Sequence, residues 1–117
     1  MAKMYQLSSC STCQRIRKEL GEGPDLEIIN IKERAITPEE LAFLAERAGS
    51  YEALFSRRAM KYRSLGLADQ QLTEADYRRL ILEEYTFLKR PVTVVGDQVF
   101  VGSAKKTTAA AKEALNR

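Results

Sequence analysis

The chain has 117 residues, 44% of them hydrophobic and 30% charged, and 19 Lys and Arg residues against 16 Asp and Glu give a net charge of +3. This composition predicts one soluble globular domain and excludes a disordered or fibrous protein, while the small positive surplus does not indicate nucleic-acid binding. The chain contains no histidine and two cysteines, which excludes imidazole-dependent catalysis, zinc sites that need histidine, and four-thiolate metal sites within one chain. Because no apolar run approaches the roughly 18 residues of a membrane span, we expect a cytoplasmic protein without membrane contact.

The N-terminal third has the pattern of a β-α-β unit. A short apolar run over 1–7 predicts a buried strand that ends in a loop at Ser8-Ser9. The β-rich run 26–31 predicts a second strand, parallel to the first. The intervening helix is expected to end within Gly21–Pro24, and its buried face repeats at helical spacing through Cys13, Ile16 and Leu20.

Two helix starts follow, each marked by a threonine N-cap. Thr37-Pro38-Glu39-Glu40 combines the cap with a proline and a glutamate that reaches back, and this helix is expected to end at Gly49. A short helical region is predicted at 51–55. The next capped helix begins after Thr73 and is expected to end near Glu84.

The C-terminal part predicts a β-hairpin followed by a helix. Two β-branched runs, 92–95 and 98–101, flank the turn Gly96-Asp97. The residues from about Ala104 to Leu115 are strong helix formers, and we expect Ser103 to be their N-cap. The predicted order is therefore β-α-β-α-(α)-α-β-β-α.

Both cysteines lie in the segment Cys10-Ser11-Thr12-Cys13, between the first strand and the first helix. Cys10 then lies at a helix N-terminus, where free backbone N–H groups and the helix dipole stabilise a thiolate. Cys13 follows one helical turn later, within reach of a mixed disulfide on Cys10. We predict Cys10 as nucleophile and Cys13 as resolving cysteine; the alternatives are two ordinary buried residues or half of a zinc site shared across a dimer.

Two basic segments are candidates for anion binding. Arg57-Arg58, with Lys61 and Arg63 nearby, offers guanidinium groups that match phosphate-like oxygens, although a charge run by itself favours a solvated helix face. Arg90-Pro91 directly precedes the hairpin. A proline there either shapes the wall of a binding site, commonly through a cis bond, or forms a plain turn before an edge strand.

In their order and spacing these features resemble the arsenate reductase ArsC and Spx family over essentially the whole chain. The features are Cys10-x-x-Cys13 after the first strand, an arginine at 57 or 58, Arg90-Pro91 before a glycine-turn hairpin, and a terminal helix. The resemblance implies an α/β fold with a thioredoxin-like mixed sheet. Its core is expected at about 1–36 and 85–117, with an inserted helical region at about 37–84.

The resemblance also implies site roles. Cys10 is similar to the cysteine that attacks the arsenic of bound arsenate, and Arg90 to one of the arginines that hold the oxyanion beside the Pro91 wall. Arg58 matches a second oxyanion-binding arginine when aligned on Tyr62-Arg63-Ser64-Leu65, whereas Arg57 fits if the spacing is counted from Gly49, and we prefer Arg58. No metal or organic cofactor is implied, and we expect a monomer.

The sequence departs from the arsenate reductase pattern at two points, which leaves two hypotheses. Gly102-Ser103 stands where the glutathione-coupled enzymes carry a third arginine, and Cys13 makes a CxxC pair similar to that of Spx regulators. The first hypothesis is a thiol-dependent reductase that uses glutathione with glutaredoxin, or thioredoxin. The second is an Spx-like regulator that uses the region near Gly49 to bind the C-terminal domain of the α subunit of RNA polymerase; a helix C-cap also explains this glycine. Neither predicts direct base-specific DNA binding.

Overall fold

The computed structural model describes residues 2–21 and 26–116. The chain divides into two compact units, Met1–Arg34 with Arg90–Arg117 and Ala35–Lys89. In the part of the chain that is described, no helix is long and apolar enough to cross a membrane.

The first unit contains a four-stranded mixed sheet. The strand order is β2-β1-β3-β4, with β1 and β2 parallel and the other two pairs antiparallel. The predicted β-α-β opening and the hairpin at Gly96-Asp97 are both confirmed. The elements of this unit are β1 (Ala2–Gln6), α1 (Ser11–Leu20), β2 (Leu26–Asn30), β3 (Val92–Val95), β4 (Gln98–Val101) and α5 (Lys105–Leu115), where the numbers α2 to α4 belong to the second unit.

One face of this sheet is covered by α1 and α5. Alternate residues of each strand point to the same face of a sheet, so Ala2 and Met4 of β1 face the same side. They join a buried cluster with residues of β2 and of both helices, completed by Ile16, Leu20, Leu26 and Ala111. This packing holds α1 against the sheet, and the cysteines lie at the N-terminal end of that helix.

The second unit is helical, with α2 (Pro38–Ala48), α3 (Met60–Ser64) and α4 (Glu74–Glu83). Both predicted threonine caps are confirmed as complete capping boxes, in which Thr37 pairs with Glu40 and Thr73 with Asp76. Gly49 ends α2 with a φ of 106°, a left-handed conformation that favours glycine. The helix C-cap that the sequence offered as one explanation of Gly49 is therefore present.

An aromatic cluster packs around Phe55, in the segment that directly precedes Arg57-Arg58. Ser56 N–H donates to Phe87 O and Lys89 N–H to Leu54 O, at 2.7 and 2.8 Å, so these two segments run antiparallel. The ring of Phe55 between them stacks on Phe87 at 5.0 Å between centroids. It also contacts two tyrosine rings, those of Tyr62 and Tyr77.

One local prediction needs correction, one helix was not predicted, and part of the predicted end of α1 lies outside the described residues. The N-cap of α5 is Ala104 and not Ser103, because the backbone remains extended through Ala104 and Thr108 N–H is the first to bond back to it. The short helical region predicted at 51–55 is present as the three-residue 3-10 helix Glu52–Leu54, whereas the sequence pattern does not predict α3. Gly21 ends α1 with a φ of 77°, while residues 22–25 and Met1 lie outside the described residues.

Candidate active site

The loop after β1 places Cys10 as the N-cap of α1. Cys10 N–H donates to Leu7 O at 3.0 Å, and Cys10 O accepts from Gln14 N–H, the first hydrogen bond of the helix. The Gln14 side chain donates back to Ser8 O at 2.7 Å and closes the loop. Cys10 therefore stands at the open end of a ten-residue helix, half-buried, with a free thiol.

The surroundings of Cys10 favour its thiolate. Burial is the largest single influence and raises its pKa, but it is outweighed by hydrogen bonds from the Cys13 N–H, the Cys13 thiol and the Thr12 N–H, and by the charge of Arg90. The net pKa lies below its ordinary value of 9.0. These are the free N–H groups of a helix N-terminus, so the position at the start of α1 accounts for the shift.

Cys13 has the opposite electrostatic environment. It is fully buried on the inner face of α1, and burial is the largest influence that raises its pKa, opposed by a hydrogen bond from the backbone of Leu7. The hydrogen bond to Cys10 and the negative charge of Cys10 also raise the pKa of Cys13, and the charge of Arg90 lowers it, so that the net pKa is about 11. Near neutral pH the pair therefore consists of a thiolate-prone Cys10 and a protonated Cys13 that donates to it.

This asymmetry predicts selective alkylation. We expect iodoacetamide to label Cys10 with a midpoint below pH 9 and Cys13 only near pH 11, because the thiolate is the reacting form and a lowered pKa populates it at lower pH. Tandem mass spectrometry of the peptide 4–15 locates the label. In guanidinium chloride both thiols should titrate alike. Equal labelling of the two cysteines at about pH 7 in the folded protein would contradict the asymmetry.

Arg90 is the basic residue that lies close to both sulfurs. Its charge lowers the pKa of Cys10 and of Cys13. The residue is half-buried, and its Nη1 atom is buried without a hydrogen-bond partner among the described residues. A buried, unpaired guanidinium N–H is costly, and an anion beside Cys10 would satisfy it. The following peptide bond, Arg90-Pro91, is cis, one of the geometries expected from the sequence.

Gln6 is a polar residue of this region that sequence reasoning did not single out. It is the last residue of β1 and is 0% exposed. Its Nε2 donates to Ser8 Oγ at 3.2 Å, while its Oε1 has no hydrogen-bond partner among residues 2–21 and 26–116. The signal in the sequence was an amide at the end of a strand that leads directly into the cysteine loop.

Arg57 and Arg58 belong to the other unit and differ in their contacts. The guanidinium of Arg57 bonds Glu52 Oε2 at 2.8 Å and the Tyr77 hydroxyl at 3.1 Å. Arg58 is exposed, and its guanidinium has no partner in the described part of the chain. The structure thus brings together Cys10, Cys13 and Arg90 in one unit and places Arg57, Arg58 and Gly49 in the other. No cluster of three or more potential metal ligands occurs within the described ranges.

A model of the ArsC family matches residues 5–111. The chain belongs to the ArsC family. Among curated proteins it is 33% identical over 102 residues to the uncharacterized protein YusI of Bacillus subtilis (strain 168), a match that covers 84% of this chain and 86% of YusI.

Solved structures of ArsC relatives share the fold. An ArsC family related protein from Bacteroides fragilis is 25% identical, with a TM-score of 0.81 over 94% of this chain and 96% of that one. Arsenate reductase from Vibrio cholerae, at 22% identity, has a TM-score of 0.78 over 96% and 95% of the two chains. The thioredoxin-like α/β fold predicted from the sequence is therefore confirmed.

Proposed function

We propose that this ArsC family member is a thiol-dependent reductase in which Cys10 is the nucleophile and Cys13 the resolving cysteine. The observation that carries the proposal is the asymmetry of the pair. One thiol is half-exposed at a helix N-terminus with a lowered pKa, and its partner one turn away is buried with a pKa of about 11. A nucleophile must ionise first and a resolving thiol must stay protonated until it is needed.

With arsenate as substrate, the proposed reaction has three steps. The Cys10 thiolate attacks As(V), a sulfur–arsenic bond forms, and one oxygen leaves as water after gaining two protons. Cys13 then attacks Cys10 Sγ, and the sulfur–arsenic bond breaks with its electron pair left on arsenic, which departs as arsenite. Two external thiols, from glutathione with glutaredoxin or from thioredoxin, reduce the resulting Cys10–Cys13 disulfide.

The same contacts give the two steps their order. Two of the influences that raise the pKa of Cys13 are its hydrogen bond to Cys10 and the negative charge of Cys10. Both end when Cys10 forms a covalent bond to the substrate. Burial still raises the pKa of Cys13, but the thiol becomes easier to ionise at the stage when it has to attack.

Two arginines are proposed to hold the oxyanion. Arg90 brings an unpaired buried N–H group close to the nucleophile. Arg58 is preferred over Arg57 as the second arginine because the guanidinium of Arg57 is engaged by Glu52 and Tyr77. Positive charge beside Cys10 offsets the repulsion between a thiolate and a dianion, and Pro91 forms the wall next to Arg90.

The test is NADPH consumption with arsenate, measured in parallel with glutathione plus glutaredoxin and with thioredoxin. We expect turnover with one of the two systems, which identifies the reductant in the same experiment. Turnover with neither, while a reversible Cys10–Cys13 disulfide still forms, would contradict the reductase.

That negative result would favour a second candidate, an Spx-like regulator that binds the C-terminal domain of the RNA polymerase α subunit. The observation in its favour is the cysteine pair itself, because two thiols one helical turn apart suffice for an intramolecular switch without any substrate. A pull-down with this domain, using the reduced and the oxidised protein, tests it. Binding in neither redox state would exclude it.

A further inference from the structure

The short helix α3 and the segment before it form an open groove in the unit Ala35–Lys89. The groove has a volume of about 800 Å³. No residue of α3 is buried, and Met60 at its start is 89% exposed. Leu65, directly after the helix, is 53% exposed, and these two are the large apolar side chains that the described residues leave exposed. The groove is lined by Arg57, Arg58, Ala59, Met60, Arg63 and Ser64.

The charge of this groove is positive and only partly neutralised. Arg57 is paired with Glu52, and Lys61 next to the groove is paired with Glu84 at 2.7 Å. The guanidinium groups of Arg58 and Arg63 make no ion pair among the described residues, and no acidic residue lines the groove. The exposed methionine therefore shares the groove with two unpaired cations, a combination that is complementary to carboxylates near an apolar side chain.

We infer that this groove docks a partner protein through an acidic segment that carries an apolar side chain. The arginine forks match carboxylates, and the flexible thioether of Met60 adapts to aliphatic or aromatic side chains of different shape. A single-stranded nucleic acid fits less well because it needs aromatic stacking platforms. No aromatic residue lines the groove, and the nearby Tyr62 ring packs against Phe55.

The probe is a fluorescein-labelled ten-residue peptide with a central Leu-Phe pair flanked on both sides by Asp and Glu, followed by fluorescence anisotropy. We expect saturable binding that weakens about tenfold when every carboxylate is replaced by its amide, because two ion pairs are lost. Binding should also weaken as salt rises from about 0.05 to 0.3 M. Replacing Leu-Phe by Gly-Ser should weaken it by a similar factor.

Variants locate the binding surface. Met60→Asp and Arg63→Glu should each weaken binding at least about fivefold, and their exposure means that the fold is retained, which circular dichroism checks. Lys106→Glu, the same charge reversal at an exposed site of α5, is the matched control and should leave binding within about twofold. No saturation at about 1 mM peptide, equal binding of the amide peptide, or an equal effect of Lys106→Glu would overturn the inference. Tighter binding of a labelled oligo-dT with the same dependence on Arg63 would overturn it in favour of nucleic acid.

Discussion

Cys10→Ser is expected to lower arsenate-dependent NADPH consumption by at least about a thousandfold, because a hydroxyl does not ionise near neutral pH and no other thiol in the chain is poised as a thiolate. Cys13 does not substitute for it, since its pKa of about 11 keeps it protonated. The measurement is steady-state turnover with whichever reductant supports the wild type. Residual activity above about a tenth of the wild-type rate would exclude Cys10 as the nucleophile.

Cys13→Ser is the matched variant for this experiment because it removes the other thiol of the pair. It should leave the first chemical step intact and block resolution, so a single turnover persists while multiple turnovers stop or depend on free glutathione. Intact-mass spectrometry in the presence of glutathione should then show a mixed disulfide on Cys10. If Cys13→Ser turns over like the wild type, Cys13 has no resolving role.

The parts of the fold that could be predicted from the sequence have short-range signals. Thr37 and Thr73 each bond a side chain three residues ahead, so a tetrapeptide carries the whole capping box. The hairpin at Gly96 depends on its two turn residues and the flanking β-branched runs. These features depend on neighbours in the chain, and tertiary packing leaves them unchanged.

The parts that could not be predicted depend on packing or on very short elements. The five-residue helix α3 buries none of its side chains, so it has no apolar periodicity to detect. At the start of α5, Ser103 is the better capping residue, yet the backbone turns helical one residue later, at Lys105. For residues that lack a buried face, local propensity alone does not locate a boundary to one residue.

The candidate site also has features that could be predicted from the sequence and features that could not. Cys10, Cys13 and Arg90 could be selected from the sequence because the CxxC spacing and the Arg-Pro pair are visible there, and their roles stay predictions. The sequence could not reveal that Oε1 of Gln6 and Nη1 of Arg90 are unpaired, because whether a polar atom finds a hydrogen-bond partner depends on its surroundings in the folded protein. The sequence alignment already favours Arg58 over Arg57, and the contacts of Arg57 with Glu52 and Tyr77, which only the folded structure shows, favour the same choice; the role of Arg58 stays a prediction.

Arg90→Gln tests whether the cation beside the cysteines acts on both the substrate and the thiolate. We expect kcat/KM for arsenate to fall about 100- to 1,000-fold, the usual cost of removing one group that binds a developing or bound oxyanion. The pKa of Cys10 should rise as well, because the charge of Arg90 lowers it, so the alkylation midpoint of Cys10 shifts to higher pH. Loss of general stability alone would not move that midpoint upwards in the folded protein.

Two further variants separate charge from geometry at this position. Arg90→Lys keeps the charge but loses the planar fork, so it should retain the low alkylation midpoint of Cys10 while recovering only part of kcat/KM. Lys89→Gln removes an exposed neighbouring charge and should alter neither quantity. An unchanged kcat/KM and an unchanged alkylation profile in Arg90→Gln would mean that Arg90 neither binds the oxyanion nor stabilises the thiolate. If only the alkylation midpoint shifts, Arg90 stabilises the Cys10 thiolate, and other residues bind the oxyanion.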